Sequence, residues 1–195
     1  MVDVYFYIPK EEVNEVVSTG IDIAKYGTKE VEFLEKKQTV LVALLNPKDD
    51  IKKYSDDSYE CLKISVNPSE VLVGDCTFYY EETMDKYFKS LELLENYVFG
   101  TKRNPECLIL TSITTGISKL NKGFDSPIIY ENSEKLYIDS IFGECREKED
   151  NFDDKALFLY LLYMCQEEKA TACQIEDNIV FTVNETGKTY ITKEY

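Results

Sequence analysis

Strands are predicted wherever apolar residues alternate with polar ones or form a short, nearly continuous run between turn residues. Five segments in the first two thirds of the chain meet this condition: 4–8, 39–45, 59–66, 71–75 and 106–113. The run at 39–45 is apolar at almost every position, which is typical of a strand buried on both faces. The segment 59–66 alternates instead, as a half-buried strand does.

Four further segments are predicted to be helical: 10–19, 29–37, 81–99 and 154–168. The first has Pro9 at its start and Gly20 at its end, and it places three valines on one face. The segment 81–99 has the clearest three-and-four spacing of apolar residues. The segment 154–168 is apolar nearly all round in its middle.

The chain ends in a predicted hairpin, with strands at 179–183 and 189–192. Strands and helices follow each other without strict alternation, which favours an α+β fold over a doubly wound parallel sheet. The acidic segment 131–154 predicts a solvated connection between two parts of the chain. We therefore expect an α+β domain over residues 1–148 and a helix–hairpin appendage over residues 149–195.

The charge of the chain restricts its partners. It carries 22 basic and 37 acidic side chains, a formal net charge of −15 at pH 7. Nucleic-acid affinity comes largely from lysine and arginine replacing counterions on phosphates, so this balance disfavours nucleic-acid partners. The longest apolar run, 156–165, has about half of the roughly 20 residues that cross a bilayer, and the start shows no signal-peptide pattern. We expect a cytoplasmic protein without membrane contacts.

Several kinds of site are excluded by residue counts and spacing. The chain has no histidine, which excludes Ser-His-Asp and Cys-His catalysis. None of the six cysteines forms a CxxC pair, so we expect reduced cysteines and no metal. Asp49, Asp50, Asp56 and Asp57 match no calcium loop, and we interpret them as turn residues. The glycines lack the spacing of Rossmann and P-loop motifs.

Glu106 is the acidic residue with the clearest catalytic potential, because it begins an apolar strand directly after the basic loop 101–105. A fixed carboxylate can stabilise the positive charge that develops on a ribose when an N-glycosidic bond breaks. Arg103 in the loop has the planar guanidinium that suits a pyrophosphate. The same residues also fit a strand-end carboxylate that caps a loop beside solvated cations, and the sequence leaves both interpretations open.

Tyr5, Phe6 and Tyr7 form a second candidate group on the first predicted strand. Alternation places Tyr5 and Tyr7 on one face of the strand and Phe6 on the other. Either face can stack on the ring of a nucleotide. Such triplets also serve as ordinary core residues, because aromatic side chains suit pleated and half-buried surfaces.

A family resemblance rests on three parts of the chain. The segment 4–21 resembles the first strand and helix of ADP-ribosyltransferase-fold proteins, notably the DNA-targeting ADP-ribosyltransferase toxins and the RNA 2'-phosphotransferases. The segment 106–109, an acid followed by an apolar run, is similar to the toxin motif that begins with the catalytic glutamate, and Ile117 lies where such chains continue with another isoleucine. The tract 45–75 looks like the strand-and-turn region of related proteins. The resemblance covers about the first 120 residues.

This resemblance implies split β-sheets with flanking helices around a cleft for NAD, which would be a substrate and not a tightly bound cofactor. It assigns Glu106 to stabilisation of the ribosyl cation, Tyr5 or Tyr7 to seating the nucleotide, and Arg103 to contact with its phosphates. The family has a histidine on the first strand where this chain has Phe6, which cannot form a hydrogen bond. Either a neighbouring tyrosine substitutes for the histidine or the cleft has lost its chemistry.

Three functions remain open at this point. The leading one is an NAD-utilising ADP-ribosyltransferase-like protein, active or catalytically degenerate, with a protein or a small molecule as the acceptor. The second is a non-catalytic protein-binding module on the same scaffold, which the 15 tyrosines suit because tyrosine is a good contact residue. The third, an acidic inhibitor of a nucleic-acid enzyme, depends on charge alone.

Overall fold

The computed structural model of the chain describes residues 1–33, 36–121 and 131–195. They form two compact units, Met1–Ser140 and Ile141–Tyr195. The sequence predicted the boundary eight residues later, at residue 148. The short apolar segment 127–130, for which the pattern favours neither helix nor strand, lies outside the described residues.

The first unit is a mixed α+β structure, as the sequence predicted. Its strands are β1 (Val2–Pro9), β2 (Lys29–Phe33), β3 (Lys36–Leu44), β4 (Tyr59–Val66), β5 (Val71–Asp75), β6 (Glu92–Leu93), β7 (Pro105–Ile109) and β8 (Ile117–Lys119). Its helices are α1 (Val13–Thr19), α2 (Ile23–Tyr26), α3 (Ile51–Ser55), α4 (Met84–Ser90) and the first half of α5 (Ser133–Lys148). Within the described residues, no helix has the length and apolar composition that crossing a bilayer requires.

The strands of the first unit form one antiparallel sheet in the order β6-β5-β7-β3-β1-β4-β8, and β2 lies off this path, paired with β3. Its hydrogen-bond ladder is nearly interrupted in the middle. β1 and β4 are in register along the whole of β1, from Val2 opposite Val66 to Pro9 opposite Tyr59. β1 and β3 are joined at a single pair, Tyr5 opposite Leu44. The sheet therefore consists of two ladders that meet at one point.

Register also decides which side chains share a face, because residues directly opposite in an antiparallel sheet point the same way. Leu44 lies opposite both Tyr5 and Glu106, and Glu106 also lies opposite Gly74. These four residues form a row across four strands on one face. The other face of the same strands carries the main apolar core, which includes Cys107 and is covered by valines of α1.

One helix prediction in this unit is wrong, and another is too long. In the segment 29–37, residues 29–33 form β2 and residues 36–37 begin the antiparallel strand β3, because pairing buries Val31 against the sheet and leaves Glu30 and Glu32 exposed. The helix predicted at 81–99 ends at Ser90. The chain then turns back to the sheet, where the N–H of Leu94 donates to the carbonyl of Val71 at 2.8 Å and β6 pairs with β5.

The segment 131–154, predicted to be a solvated connection, is largely the helix α5. The side chain of Asn132 accepts from the N–H of Lys135 at 2.9 Å, and Arg146 and Lys148 lie in the last turn. These are the features that stabilise the two ends of a helix, through capping and through the helix dipole. A net acidic composition therefore did not prevent helix formation.

The second unit contains the end of α5, the helix α6 and a three-stranded antiparallel sheet. Its elements are α6 (Phe152–Gln166), β9 (Ala170–Ile175), β10 (Asn178–Val183) and β11 (Thr189–Lys193), with the strand order β11-β10-β9. Phe158 and Leu161 of α6 pack against Phe181 of β10 to form its core. The predicted helix and hairpin are confirmed, and β9 was not predicted.

Candidate functional site

A cavity of about 420 Å³ lies at the gap between β1 and β3. The two strands share only the pair Tyr5–Leu44. Beyond this pair, in the direction of Tyr7 on β1 and Val42 on β3, the strands separate and the cavity lies between them. Tyr5, Phe6 and Tyr7 all line the cavity, although Phe6 packs on the side of the main core and Tyr5 and Tyr7 on the other, so the cavity is lined from both sides of β1. Its volume lies within the range of small-molecule sites, roughly 300–1,000 Å³.

Aromatic rings form much of the wall of this cavity. Tyr26 of α2 lines it together with the three aromatic residues of β1, and its ring meets that of Phe6 edge to face at 6.1 Å. The hydroxyl of Tyr7 donates to the carbonyl of Pro47 at 2.8 Å. Burial raises the pKa of Tyr7 above its ordinary value. The Tyr7 hydroxyl thus fixes the ring against the following loop.

Two lysines and an aspartate supply charge to the same cavity. Lys25 pairs with Glu12 at 3.0 Å, and Lys53 pairs with Asp50 at 3.4 Å. Hydrogen bonds from Tyr26 and then Lys25 lower the pKa of the Glu12 carboxyl. The side chains of Lys25 and Lys53 are partly exposed, so either can turn to an anionic ligand at little cost.

Glu106 lies at the start of β7 on the face that carries Tyr5, and it is buried. Its carboxylate accepts from the hydroxyl of Tyr87 at 2.7 Å and from the ammonium of Lys29 at 2.5 Å. Only 10% of the Lys29 side chain and 7% of the Glu106 side chain are exposed. Burial first, and then the hydrogen bond to Glu106, raise the pKa of Tyr87. Burial, followed by the nearby Glu106 charge, raises the pKa of the Cys76 thiol.

The ammonium of Lys29 also lies over two aromatic rings. It is 3.7 Å from the ring centre of Tyr79 and 5.0 Å from that of Tyr87, and the two rings stand at 73° to each other. Gly74 makes room for this arrangement, because a Cβ there would come within 3.2 Å of the Tyr87 ring and 2.9 Å of Leu91. Carboxylate and rings together form a site for a cation, which Lys29 occupies.

Arg103 lines a different cavity, of about 390 Å³, together with Cys76 and Glu134. Its guanidinium contacts the Glu134 carboxylate at 2.7 and 2.8 Å, which raises the pKa of Arg103. Its backbone N–H donates to the buried carboxylate of Asp75 at 3.1 Å. This second cavity is polar, and the arginine in it already has an anionic partner.

Of the acidic residues predicted to serve turns, Asp50 and Asp56 accept from nearby backbone N–H groups, and Asp49 accepts both from Asn46 and from the distant Ser133. Asp49 accepts from the N–H and hydroxyl of Ser133 at 2.7 and 2.8 Å, and burial raises the pKa of its carboxyl. Asp50 accepts from the N–H of Lys53 at the start of α3, and Asp56 accepts from that of Ser58. Among the described residues, no group of three or more histidine, cysteine or acidic side chains is arranged to hold a metal ion.

The structure brings three of the five predicted site residues together. Tyr5, Phe6 and Tyr7 line one cavity, and Arg103 lines the other. Glu106 lines neither cavity, but it has one neighbour in the lining of each. These neighbours are Leu44, which lies opposite Glu106 and lines the cavity at the gap, and Cys76, which feels the Glu106 charge and lines the Arg103 cavity.

Sequence reasoning missed the residues that surround Glu106. Lys29 lies 77 positions before Glu106 in a segment predicted to be helical, and no local pattern links the two. Tyr87 was expected only as part of an apolar helix face. The alternation of Glu30, Val31 and Glu32 was the available signal, because it marks an exposed-and-buried strand that would begin at Lys29.

We found no match to the chain among protein-family models, curated proteins or solved structures.

Proposed function

We propose that the protein binds NAD in the cavity between β1 and β3, as a catalytically degenerate protein of ADP-ribosyltransferase-like architecture. One observation carries this proposal. The sheet opens beside an aromatic first strand, and a buried glutamate lies on the same face, two strands away along the row that starts at Tyr5.

The near-interruption of the ladder supports the architectural part of the proposal. The family resemblance implies split sheets around a nucleotide cleft. In this sheet, β1, β4 and β8 form one ladder and β3, β7, β5 and β6 form the other, joined at the pair Tyr5–Leu44. The cavity lies at this junction, where a split sheet would hold its ligand.

The lining of the cavity supports a dinucleotide as the ligand. Phe6 and Tyr26 offer aromatic rings on which a nicotinamide or adenine ring can stack. Lys25 and Lys53 supply positive charge for a diphosphate, and Asp50 can accept from ribose hydroxyls. Both lysines already have a carboxylate partner, and an anionic ligand would share or replace these partly exposed contacts.

The surroundings of Glu106 support the degenerate part of the proposal. A carboxylate stabilises a developing ribosyl cation only when the cation can approach it. Here the Lys29 ammonium and the Tyr87 hydroxyl already contact the Glu106 carboxylate. Phe6 offers no hydrogen bond in place of a histidine, and the Tyr7 hydroxyl is bound to Pro47.

The test is a melting-temperature series with NAD, combined with an assay of nicotinamide release. We expect millimolar NAD to raise the melting temperature of the wild-type protein, without nicotinamide release above background. Lys25→Met and Lys53→Met should each weaken binding by about tenfold, through loss of a charge-assisted contact. The control is Lys119→Met, an exposed lysine on β8. No stabilisation at millimolar NAD would contradict the proposal.

A protein-binding role is the second candidate, and α6 favours it. Leu159, Tyr160 and Tyr163 form a stripe on its outer side with 63%, 58% and 53% of their surface exposed. The ten residues 156–165 carry no charge in a chain of net charge −15, so this stretch is suited to meet a second copy without repulsion. We expect concentration-dependent dimers in sedimentation that Leu159→Ser abolishes. A wild-type protein that stays monomeric at all concentrations would contradict this role.

A further inference from the structure

The cluster around Lys29 has the composition of a ligand site. We propose that Glu106, Tyr79 and Tyr87 form a binding site for an organic cation, either a quaternary ammonium or a pyridinium. In the resting protein this site is blocked by the ammonium of Lys29. The site itself stands on its own geometry, whereas its connection to the nicotinamide of NAD rests on the proposed function.

The geometry matches what a soft organic cation requires. Two rings at 73° form two walls, with their centres 3.7 and 5.0 Å from the Lys29 nitrogen. The carboxylate that now accepts from this ammonium at 2.5 Å would face an organic cation across a longer, purely electrostatic contact. Faces of aromatic rings attract cations that have lost their water, and the attraction grows as the site is desolvated. The side chains of Lys29 and Glu106 are almost fully buried, so this condition is met.

The fold does not need a charge at this place. A buried ion pair gives little net stability, because removal of both charges from water costs about as much as their attraction returns. The row of residues beside Glu106 is otherwise apolar, with Leu44 on one side and Gly74 on the other. Because a hydrophobic pair is often as stable as a buried ion pair, stability does not by itself explain the charge and the aromatic walls.

Lys29 is able to leave the site without disturbing the main sheet. It is the first residue of β2, which lies off the path of the central strands. The preceding residue, Thr28, lines the cavity between β1 and β3. A change of rotamer in the long lysine side chain would therefore free the carboxylate next to that cavity, while the backbone pairing of Lys29 with Val40 stays in place.

This arrangement explains how the Glu106 carboxylate is kept from contact with a substrate. The nicotinamide ring of NAD is a pyridinium, which is the class of cation that the site fits. It would compete with the Lys29 ammonium for the same carboxylate and the same two rings. Lys29 thus acts as an internal occupant that excludes the reacting end of the nucleotide, while the rest of the nucleotide binds in the neighbouring cavity.

Chemical rescue tests the cation site without reference to NAD. The variant Lys29→Ala is titrated with tetramethylammonium and with N-methylnicotinamide while the melting temperature is recorded. We expect a rise of about 3 °C or more at ten times the dissociation constant of the probe. Neither Lys119→Ala nor the double variant Lys29→Ala/Glu106→Gln should respond. No rise with either cation in folded Lys29→Ala would overturn the proposal.

Amine labelling tests the same site in the wild-type protein, so the result does not depend on the folding of a variant. Lys29 should react with an acylating reagent at least tenfold more slowly than Lys119, as measured by peptide mass spectrometry. Saturating N-methylnicotinamide should displace Lys29 and raise its labelling, with no change at Lys119. Equal labelling of the two lysines, or no effect of the cation, would overturn the proposal. NAD binding to the wild type is a separate measurement, so failure of the proposed function is distinguishable.

Discussion

The two faces of the large sheet are built from the same strands, yet they differ in chemistry. On β7, Cys107 and Ile109 point into the main apolar core, whereas Glu106 points to the opposite face, towards Lys29 and Tyr87. The apolar face continues across the sheet, and the other face is interrupted at the gap beside Tyr5. Both faces bury apolar residues. The polar face, which is the side of Glu106, packs Leu72 and Leu108 as well, and it differs in also carrying a buried ion pair and a cavity.

The largest expected effect comes from breaking the ion pair on the polar face. Lys29→Met leaves the Glu106 carboxylate buried on a central strand without its cation, so we expect the free energy of unfolding in urea to fall by about 3–5 kcal/mol. The double variant Lys29→Met/Glu106→Leu should regain most of that loss, because both charges are then absent. A single variant that loses less than about 1 kcal/mol would show that the Glu106 carboxylate does not depend on its partner in the sheet.

The apolar face should respond through cavity formation alone. Ile109→Ala removes a buried side chain from the main core, and we expect a loss of about 3 kcal/mol in the same measurement. The melting-temperature increase caused by NAD should stay as large as in the wild type, because Ile109 points away from the row of Glu106 and Tyr5. Loss of that NAD effect would mean that the two faces are coupled.

Gly74 offers a third test of the difference between the two faces. It is the residue on the face of Glu106 that allows the Tyr87 ring to approach the sheet. Gly74→Ala places a Cβ 2.9 Å from Leu91 and 3.2 Å from Tyr87, so side chains of α4 must shift. We expect a loss of about 2 kcal/mol from overpacking. Labelling of Lys29 should increase in this variant, because one wall of its aromatic site has moved. Unchanged labelling would contradict the role assigned to Tyr87.

Tyr7 gives a pH-dependent test at the gap itself. Its pKa is raised by burial, so above about pH 10 the unfolded chain loses a proton that the native state keeps. The native state then binds more protons, and stability falls as the pH rises. Tyr7→Phe should lower stability by about 1 kcal/mol near neutrality and make the alkaline fall shallower by up to about 1.4 kcal/mol per pH unit. The exposed Tyr80→Phe is the control, and an identical slope in both variants would contradict this account.

The smallest effect is expected at Arg103. Its ion pair with Glu134 is exposed, so Arg103→Ala should leave the free energy of unfolding unchanged. NAD affinity should also be unchanged if the ligand occupies the cavity at the gap. A variant that loses NAD binding would assign the nucleotide to the second cavity, in agreement with the sequence-based role of Arg103.

The elements that depend on local pattern were predictable from the sequence. Alternation at 59–66 gave β4, and the hairpin of β10 and β11 follows from two short apolar runs with Gly187 in the turn. The predicted helix 81–99 failed where a tertiary contact intervened. The Ser90 hydroxyl bonds to the backbone of Tyr87 and Asp75, and the next residues leave the helix for the sheet.

The candidate site was only partly predictable, for a related reason. The aromatic strand and Glu106 could be identified from residue type and position alone. The partners of Glu106 come from other regions of the chain, with Lys29 and Tyr87 separated from it by 77 and 19 positions. Which face of which strand they share depends on the register of the whole sheet, and a single sequence contains no direct signal of that register.

The gap in the sheet has a consequence for how β1 should be read in a mutational scan. In a strand with neighbours on both sides, odd and even positions face different surroundings. A ligand on one face is then affected by substitutions at every second residue. β1 keeps its alternation, with Phe6 on the side of the main core and Tyr5 and Tyr7 on the other, but the cavity at the gap is lined from both sides of the strand. Consecutive substitutions at positions 5, 6 and 7 should then perturb one and the same ligand, and the point along β1 at which the two-residue rhythm returns would mark the end of the opening.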